Sequence, residues 1–466
     1  MTKTQNILDY PSRAAKSARS HIVLMTGLLL AGIAVRFAVF LTCSPFNPDL
    51  HYQVIQYIAE THSIPYSNQP TPTGPLTQSF HPPLYHLVMA LLYARWPGPT
   101  PIHFASFLLS SLHLVLISRL LANPLIFRDR SARAIALAIA CFLPEFVMFN
   151  GFISNDALTL PLGSLLFLTM LRYILRPDGR RLAVMGTVVG IGLLTKGTFL
   201  LVGPALAVLV LAVEAKCGWP NAAKKAMLFL LLLGILGCFK YVQNYIYFGT
   251  PIVHNLDAGG LDFHQQTGFF KGWRTIFDLN VFKLIQHPVL QIHDTFSAPL
   301  MMFATFWYPH IPASSYGGNW HGYQWVGSII YTLAIVPTLY FLIGYMRGLR
   351  MSLQSVTFAI SGRVASPRLL LALGAMLLLM SNLAVVIAAG IKYDTWWCFQ
   401  SRLCFQSMMA VLFLFGLGME YVPRHRWLRV MVLTVCWAAA AACLMYFVVE
   451  IPLARGLLLP GPELKP

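Results

Sequence analysis

Carboxylates are scarce in this 466-residue chain, so their placement is informative. Of the 16 Asp and Glu residues, nine fall in polar segments on one side of an alternating series of apolar runs: Asp49, Glu60, Asp156, Asp257, Asp262, Asp278, Asp294, Asp394 and Glu463. Asp49 directly follows the first run, and Asp156 stands in the turn Ser154-Asn155-Asp156 between two later ones. A carboxylate at such a boundary can take a proton from a hydroxyl. Asn155 or Asp156 can equally cap the next helix, and the two roles are compatible.

Cations mark the same side. Lys196 interrupts the run Leu193-Leu194-Thr195-Lys196-Gly197, and Lys240, Lys392 and Arg402 sit near the ends of other runs. Basic groups at membrane depth are costly and usually functional. Four of them on one face suit a phosphate-bearing ligand, because a delocalised dianion needs several donors. Snorkelling to the interface is the simpler alternative. Eleven of the 14 histidines share that face: His51, His62, His81, His86, His103, His254, His264, His287, His293, His310 and His321. No HExxH or related pattern joins them, so no metal ligand is assigned; a divalent ion stays open without support, and no cofactor is expected. His51, two residues from Asp49, is the candidate for a site role.

The elements that hold these residues must be membrane helices. Hydrophobic residues make up 57% of the chain and charged ones 11%, against about 25% charged in a soluble domain. At about 20 apolar residues per span, eleven spans are expected: 21–42, 103–122, 132–149, 157–175, 182–194, 199–214, 226–247, 326–346, 369–390, 403–420 and 430–450. With the N-terminus inside, the inner segments hold 19 Lys and Arg and the longer outer ones 9, as the positive-inside rule requires. The net charge of +17 therefore reports topology, and nucleic acid is not an expected partner. Residues 84–96 are apolar but too short to span. They are read as a helix lying on the outer surface, with Tyr93 and Trp96 at headgroup level. The run 21–42 is too long for a signal peptide and lacks a cleavage site, so it is read as a retained helix. The eight cysteines include no CxxC; Cys43, Cys398 and Cys404 lie near the outer face, where one disulfide has room to form. Two outer loops are long, 43–102 and 248–325, and the whole chain, 1–466, reads as one membrane domain.

Several segments, in order, carry a resemblance. They are Pro48-Asp49-Leu50-His51-Tyr52, His81-Pro82-Pro83-Leu84-Tyr85, Asn150-Gly151-Phe152-Ile153-Ser154-Asn155-Asp156, Gly192-Leu193-Leu194-Thr195-Lys196-Gly197, Gln243-Asn244-Tyr245 and Gln400-Ser401-Arg402-Leu403. Over about residues 20–420 the chain resembles the GT-C glycosyltransferases, especially bacterial relatives of the protein O-mannosyltransferases and of the aminoarabinose–lipid A transferase. The resemblance implies an all-α polytopic fold with juxtamembrane helices in the first periplasmic loop, in the bacterial inner membrane. It implies an inverting transfer of sugar from a polyprenyl-phosphate donor to a hydroxyl of a lipid, glycan or protein. It makes Asp49 the catalytic base and Asp156 the second acid. Lys196, Arg402 and Lys240 would bind the donor phosphate; His51, His81, Tyr85 and Asn244 would orient the substrates. Four positions depart from the family pattern. Leu50 stands where many members have a second acid, Gln243 replaces an Arg, and Leu403 and Gln406 replace a Tyr and a Pro.

The rival class is a transporter or lipid flippase, which would explain buried charges equally well. Transporters usually show inverted repeats and midplane sites; neither is visible here. Trp273, Trp307, Trp320 and Trp325 in the second long loop suit either sugar stacking or an interface.

Overall fold

The computed structural model describes residues 5–43, 45, 50–66, 70–71, 74–253, 277–290, 297–310, 325–393, 399–422 and 425–454. Among these it is almost wholly helical; a two-residue antiparallel pair, Pro70–Thr71 with Gly74–Pro75, is the exception. Among the described residues nine helices are long and apolar enough to cross a membrane, from Arg19–Thr42 to Arg426–Leu453, and the bent pair Arg130–Phe142 and Pro144–Gly151 makes a tenth if it is one span. The chain is a multi-pass membrane protein.

The difference from eleven lies at 182–194. That stretch is helix α8, Gly179–Leu193, of 15 residues. At 1.5 Å per residue it covers about 22 Å, less than the roughly 30 Å apolar core. It nonetheless returns the chain to the level at which α7, Asp156–Leu175, begins, because Lys196 just beyond it touches Asp156. The run 226–247 is likewise divided: α10, Trp219–Gly237, ends before the separate helix α11, Phe239–Phe248.

The bend between α5 (Arg130–Phe142) and α6 (Pro144–Gly151) is 51° and has a local cause. Pro144 has no N–H to continue the α5 ladder, which leaves carbonyls near the end of that helix without their usual donor. Arg36, buried in α1 (Gln5–Thr42), supplies the donors: it reaches Ala140 O at 3.2 Å and Cys141 O at 3.0 Å, with Nε on Ser110 Oγ at 2.9 Å. A membrane-depth arginine thereby serves the break that aims α6.

Close helix contact fixes the rest of the bundle. A Cβ at Gly344 would lie 1.7 Å from Leu414 O, and one at Gly418 1.7 Å from Tyr340 O, so helices Trp325–Ile360 and Met408–Met419 meet through bare backbone. At the end of the bundle away from the first long loop, ion pairs tie segments together: Arg347 and Arg368 on Glu420, Lys225 on Glu214 and Arg429 on Asp129. These join the basic segments that the charge rule groups on one side.

Candidate active site

The first loop is docked rather than free. Its helices α2 (His51–Thr61) and α3 (Leu84–Arg95) pack through Val54, Ile55, Ile58, Tyr85 and Met89, together with Ile153 and Ala157 of the Asp156 turn. The 84–96 stretch is therefore a short helix, with Trp96 exposed just past its end. The amide of Leu84 donates to Leu194 O at 2.9 Å, two residues from Lys196. His51 Nδ1 and His86 Nε2 are 2.9 Å apart, and Tyr85 meets the His51 ring edge-on at 6.0 Å. Burial, then His51, then Lys240 hold the His86 pKa well below the usual histidine range. His86 is therefore neutral at pH 7. Burial raises the Tyr85 phenol, with Asp156 adding to the effect, so its proton stays in place.

Beneath these helices lies the central contact. Lys196 Nζ is 2.5 Å from Asp156 Oδ1, and their side chains are 10% and 2% exposed. Asp156 opens α7, where the helix N-terminus also favours a negative charge. Asn155 makes no capping hydrogen bond; its amide reaches Thr195 O at 3.5 Å. Gly192 makes the turn before Lys196 feasible, since a Cβ there would lie 2.4 Å from the Phe199 ring, and its carbonyl accepts from both Thr195 and Lys196. The arrangement joins an acid and a cation to which the resemblance gave separate roles.

Lys240 and Asn244 occupy one buried face of α11. Lys240 Nζ donates to Pro65 O at 3.1 Å and Gln243 Oε1 at 2.7 Å. Asn244 Nδ2 donates to Phe80 O at 3.2 Å and Pro251 O at 3.4 Å. Both side chains hold the first loop in place, and Gln243, at the departed Arg position, supports Lys240. His81 is half-buried next to that Phe80 anchor.

Burial pulls the Lys240 pKa from 10.5 to about 8. Between those values the unfolded chain keeps a proton that the folded chain has released, so stability rises with pH across this window. Thermal melts of wild type and Lys240→Gln from pH 7.5 to 10 should show wild type gaining relative to the variant. A constant difference would show that the lysine is not desolvated.

Arg402 lies in the 3-10 segment Ser401–Ser407. Its guanidinium stacks 4.3 Å above the Phe149 ring and donates to Gln400 Oε1 at 2.5 Å. Gln406, at the departed Pro position, accepts from Thr198 Oγ1 at 2.7 Å and so ties this segment to the Lys196 turn. A Cβ at Gly163 would lie 1.9 Å from Gln406 O, which is why α7 can pass so close. Lys392 is exposed, as snorkelling requires.

Asp49 lies outside the described residues, as do Asp257, Asp262, Asp294, Asp394, Glu463, Cys398, Trp273 and Trp320. Cys43 and Cys404 are both buried. Among the described residues no three His, Cys, Asp or Glu side chains form a metal-binding group. Sequence reasoning missed two fully buried acids, Glu145 and Glu450. Both lie within apolar runs, where a carboxylate requires a partner; that was the available signal.

Residues 80–242 match the family model described as dolichyl-phosphate-mannose-protein mannosyltransferase, roughly a third of the chain. No curated protein matches. Among solved structures, the archaeal oligosaccharyltransferase AglB from Archaeoglobus fulgidus, in complex with an inhibitory peptide and a dolichol-phosphate, superposes with a TM-score of 0.50. Identity is 13%, covering 96% of this chain and 57% of that one. This chain has a GT-C fold. The apo form of the Archaeoglobus enzyme gives 0.50 at 12% identity, covering 95% and 57%. ArnT from Cupriavidus metallidurans bound to undecaprenyl phosphate gives 0.37 at 14% identity, covering 86% and 78%. The chain spans somewhat over half the length of the oligosaccharyltransferase structures it matches. The matched family segment contains His81, Tyr85, Asp156, Lys196 and Lys240 but neither Asp49 nor Arg402.

Proposed function

We propose that this chain is an inverting glycosyltransferase that moves a sugar from a polyprenyl-phosphate donor to a hydroxyl acceptor on the periplasmic face of a bacterial inner membrane. The buried Asp156–Lys196 pair carries this reading, placed directly under the helices that begin two residues after Asp49. The family segment around it supports a dolichyl-phosphate type of donor, and the fold neighbour's complex with a dolichol-phosphate agrees.

The reaction is a direct displacement. The acceptor oxygen attacks the anomeric carbon while the bond to the phosphate oxygen breaks, and the polyprenyl phosphate leaves. Asp49 takes the acceptor proton. Charge grows on the phosphate, and Lys196 and Arg402 stabilise it where water is excluded. Asp156 holds the Lys196 ammonium in place, and Lys240 and Asn244 hold the loop that carries Asp49.

Purified protein in vesicles with a radiolabelled polyprenyl-phosphate sugar and a membrane extract as acceptor should release polyprenyl phosphate and label the acceptor. Transbilayer movement of the intact donor without turnover would establish a flippase instead.

A further inference from the structure

A second buried network lies beside Arg402. Tyr308 and His310 follow helix Ala298–Trp307, on the two sides of Pro309. Glu145, fully buried in the first turn of α6, accepts from His310 twice: from ring Nδ1 at 2.7 Å and from the backbone N–H at 3.3 Å. Glu450, fully buried near the end of the last helix, accepts from the Tyr308 hydroxyl. Two carboxylates far apart in the sequence thus grip side chains two residues apart. The Tyr308 ring also meets those of Tyr331 and Tyr446 edge-on, at 5.9 and 5.6 Å. The His310 ring also stacks parallel on Phe149, at 5.2 Å and 8° between planes. Phe149 is the ring on which Arg402 rests.

A buried carboxylate must be answered by hydrogen bonds or charge, or folding suffers. One such group would be a structural anchor. Here two converge on a single tripeptide, and its histidine shares an aromatic ring with the candidate phosphate-binding arginine. We infer that Glu145, Glu450, Tyr308 and His310 form a carboxylate clasp that fixes the segment 308–310 and, through Phe149, sets the position of Arg402 for the donor phosphate. They are positioning residues, and the inference rests on the function proposed above.

Two measurements on the full-length protein in nanodiscs test it. Amide hydrogen exchange reads the clasp alone: Glu145→Gln and His310→Ala should each speed exchange in residues 298–310 and leave Asp156–Leu175 unchanged. Unaltered exchange at 298–310 overturns the clasp. Binding of undecaprenyl phosphate reads the link to Arg402. His310→Ala and Arg402→Ala should each weaken it about tenfold, and the double variant should weaken it no further than Arg402→Ala alone, since coupled neighbours do not add. His310→Asn, which keeps a donor for Glu145, should recover most of the affinity. Additive losses near a hundredfold, or no recovery with Asn, overturn the positioning role. Failure of wild type to bind undecaprenyl phosphate saturably, with the exchange result intact, overturns the proposed donor and the link to Arg402 but leaves the clasp standing.

Discussion

Asp49→Asn is expected to lower turnover between about a hundredfold and ten-thousandfold, the range over which a positioned general base contributes. Asn keeps the shape and some hydrogen bonding of Asp but cannot hold the acceptor proton. The other candidate groups of the first loop and the Asp156 turn are already engaged. His51 Nδ1 is engaged with His86 Nε2, and Tyr85 is a buried phenol that keeps its proton. Asp156 is bound to Lys196. Leu50 has no ionisable group, so the adjacent position cannot substitute either. The measurement is single-turnover release of polyprenyl phosphate, with the melting temperature and undecaprenyl phosphate affinity as controls. Activity near wild type in a folded, donor-binding Asn variant would remove Asp49 from the mechanism.

Leu50 also shows how local geometry and chemistry meet. It caps α2 with φ of 60°, in the left-handed region. A branched apolar residue is strained there, whereas Asp and Asn tolerate it. The second acid that the family often carries at this position would suit the backbone better than leucine does. Strain of this kind is held only where surroundings over-determine it. The packed α2–α3 unit does so here.

Much of the fold was legible because a bilayer imposes a length and a hydropathy on each span. The long runs at 21–42, 157–175 and 369–390 emerge as helices. What stayed hidden depended on partners far away in sequence. The bend at Leu143 follows from Pro144, but its support by Arg36 joins residues 105 apart. Asp156 and Lys196 could be singled out as candidates, because charges interrupt apolar runs. Their mutual contact could not be read, since it requires α8 to return the chain to the start of α7. Glu145 and Glu450 were passed over as parts of spans. Their meaning lies in Tyr308 and His310, and no local pattern connects those four. Lys240 and Asn244 were given substrate-facing roles by the resemblance. The structure turns both toward backbone carbonyls of the first loop and its neighbours.

The Asp156–Lys196 pair allows structural and chemical roles to be separated, because the two respond differently to paired substitution. Lys196→Met leaves a buried carboxylate without its counter-charge, and Asp156→Asn leaves a buried ammonium. Each should destabilise the protein by about 3–5 kcal/mol. Replacing both at once removes the uncompensated charge, so Asp156→Asn with Lys196→Met should recover most of that stability. A purely structural pair would then recover its activity too. A lysine that meets the leaving phosphate would not: losing one preorganised donor costs about a hundredfold to a thousandfold in turnover. The expected result is a double variant that melts near wild type, keeps the bundle intact and turns over at most about one hundredth as fast. The donor dependence refines the assignment. If Lys196 acts mainly as charge grows on the phosphate, kcat falls while the donor KM changes little. A rise in donor KM alone would place it in ground-state binding instead. Recovery of both stability and turnover would show that Lys196 serves only to neutralise Asp156, and the phosphate would have to be met by Arg402 without it.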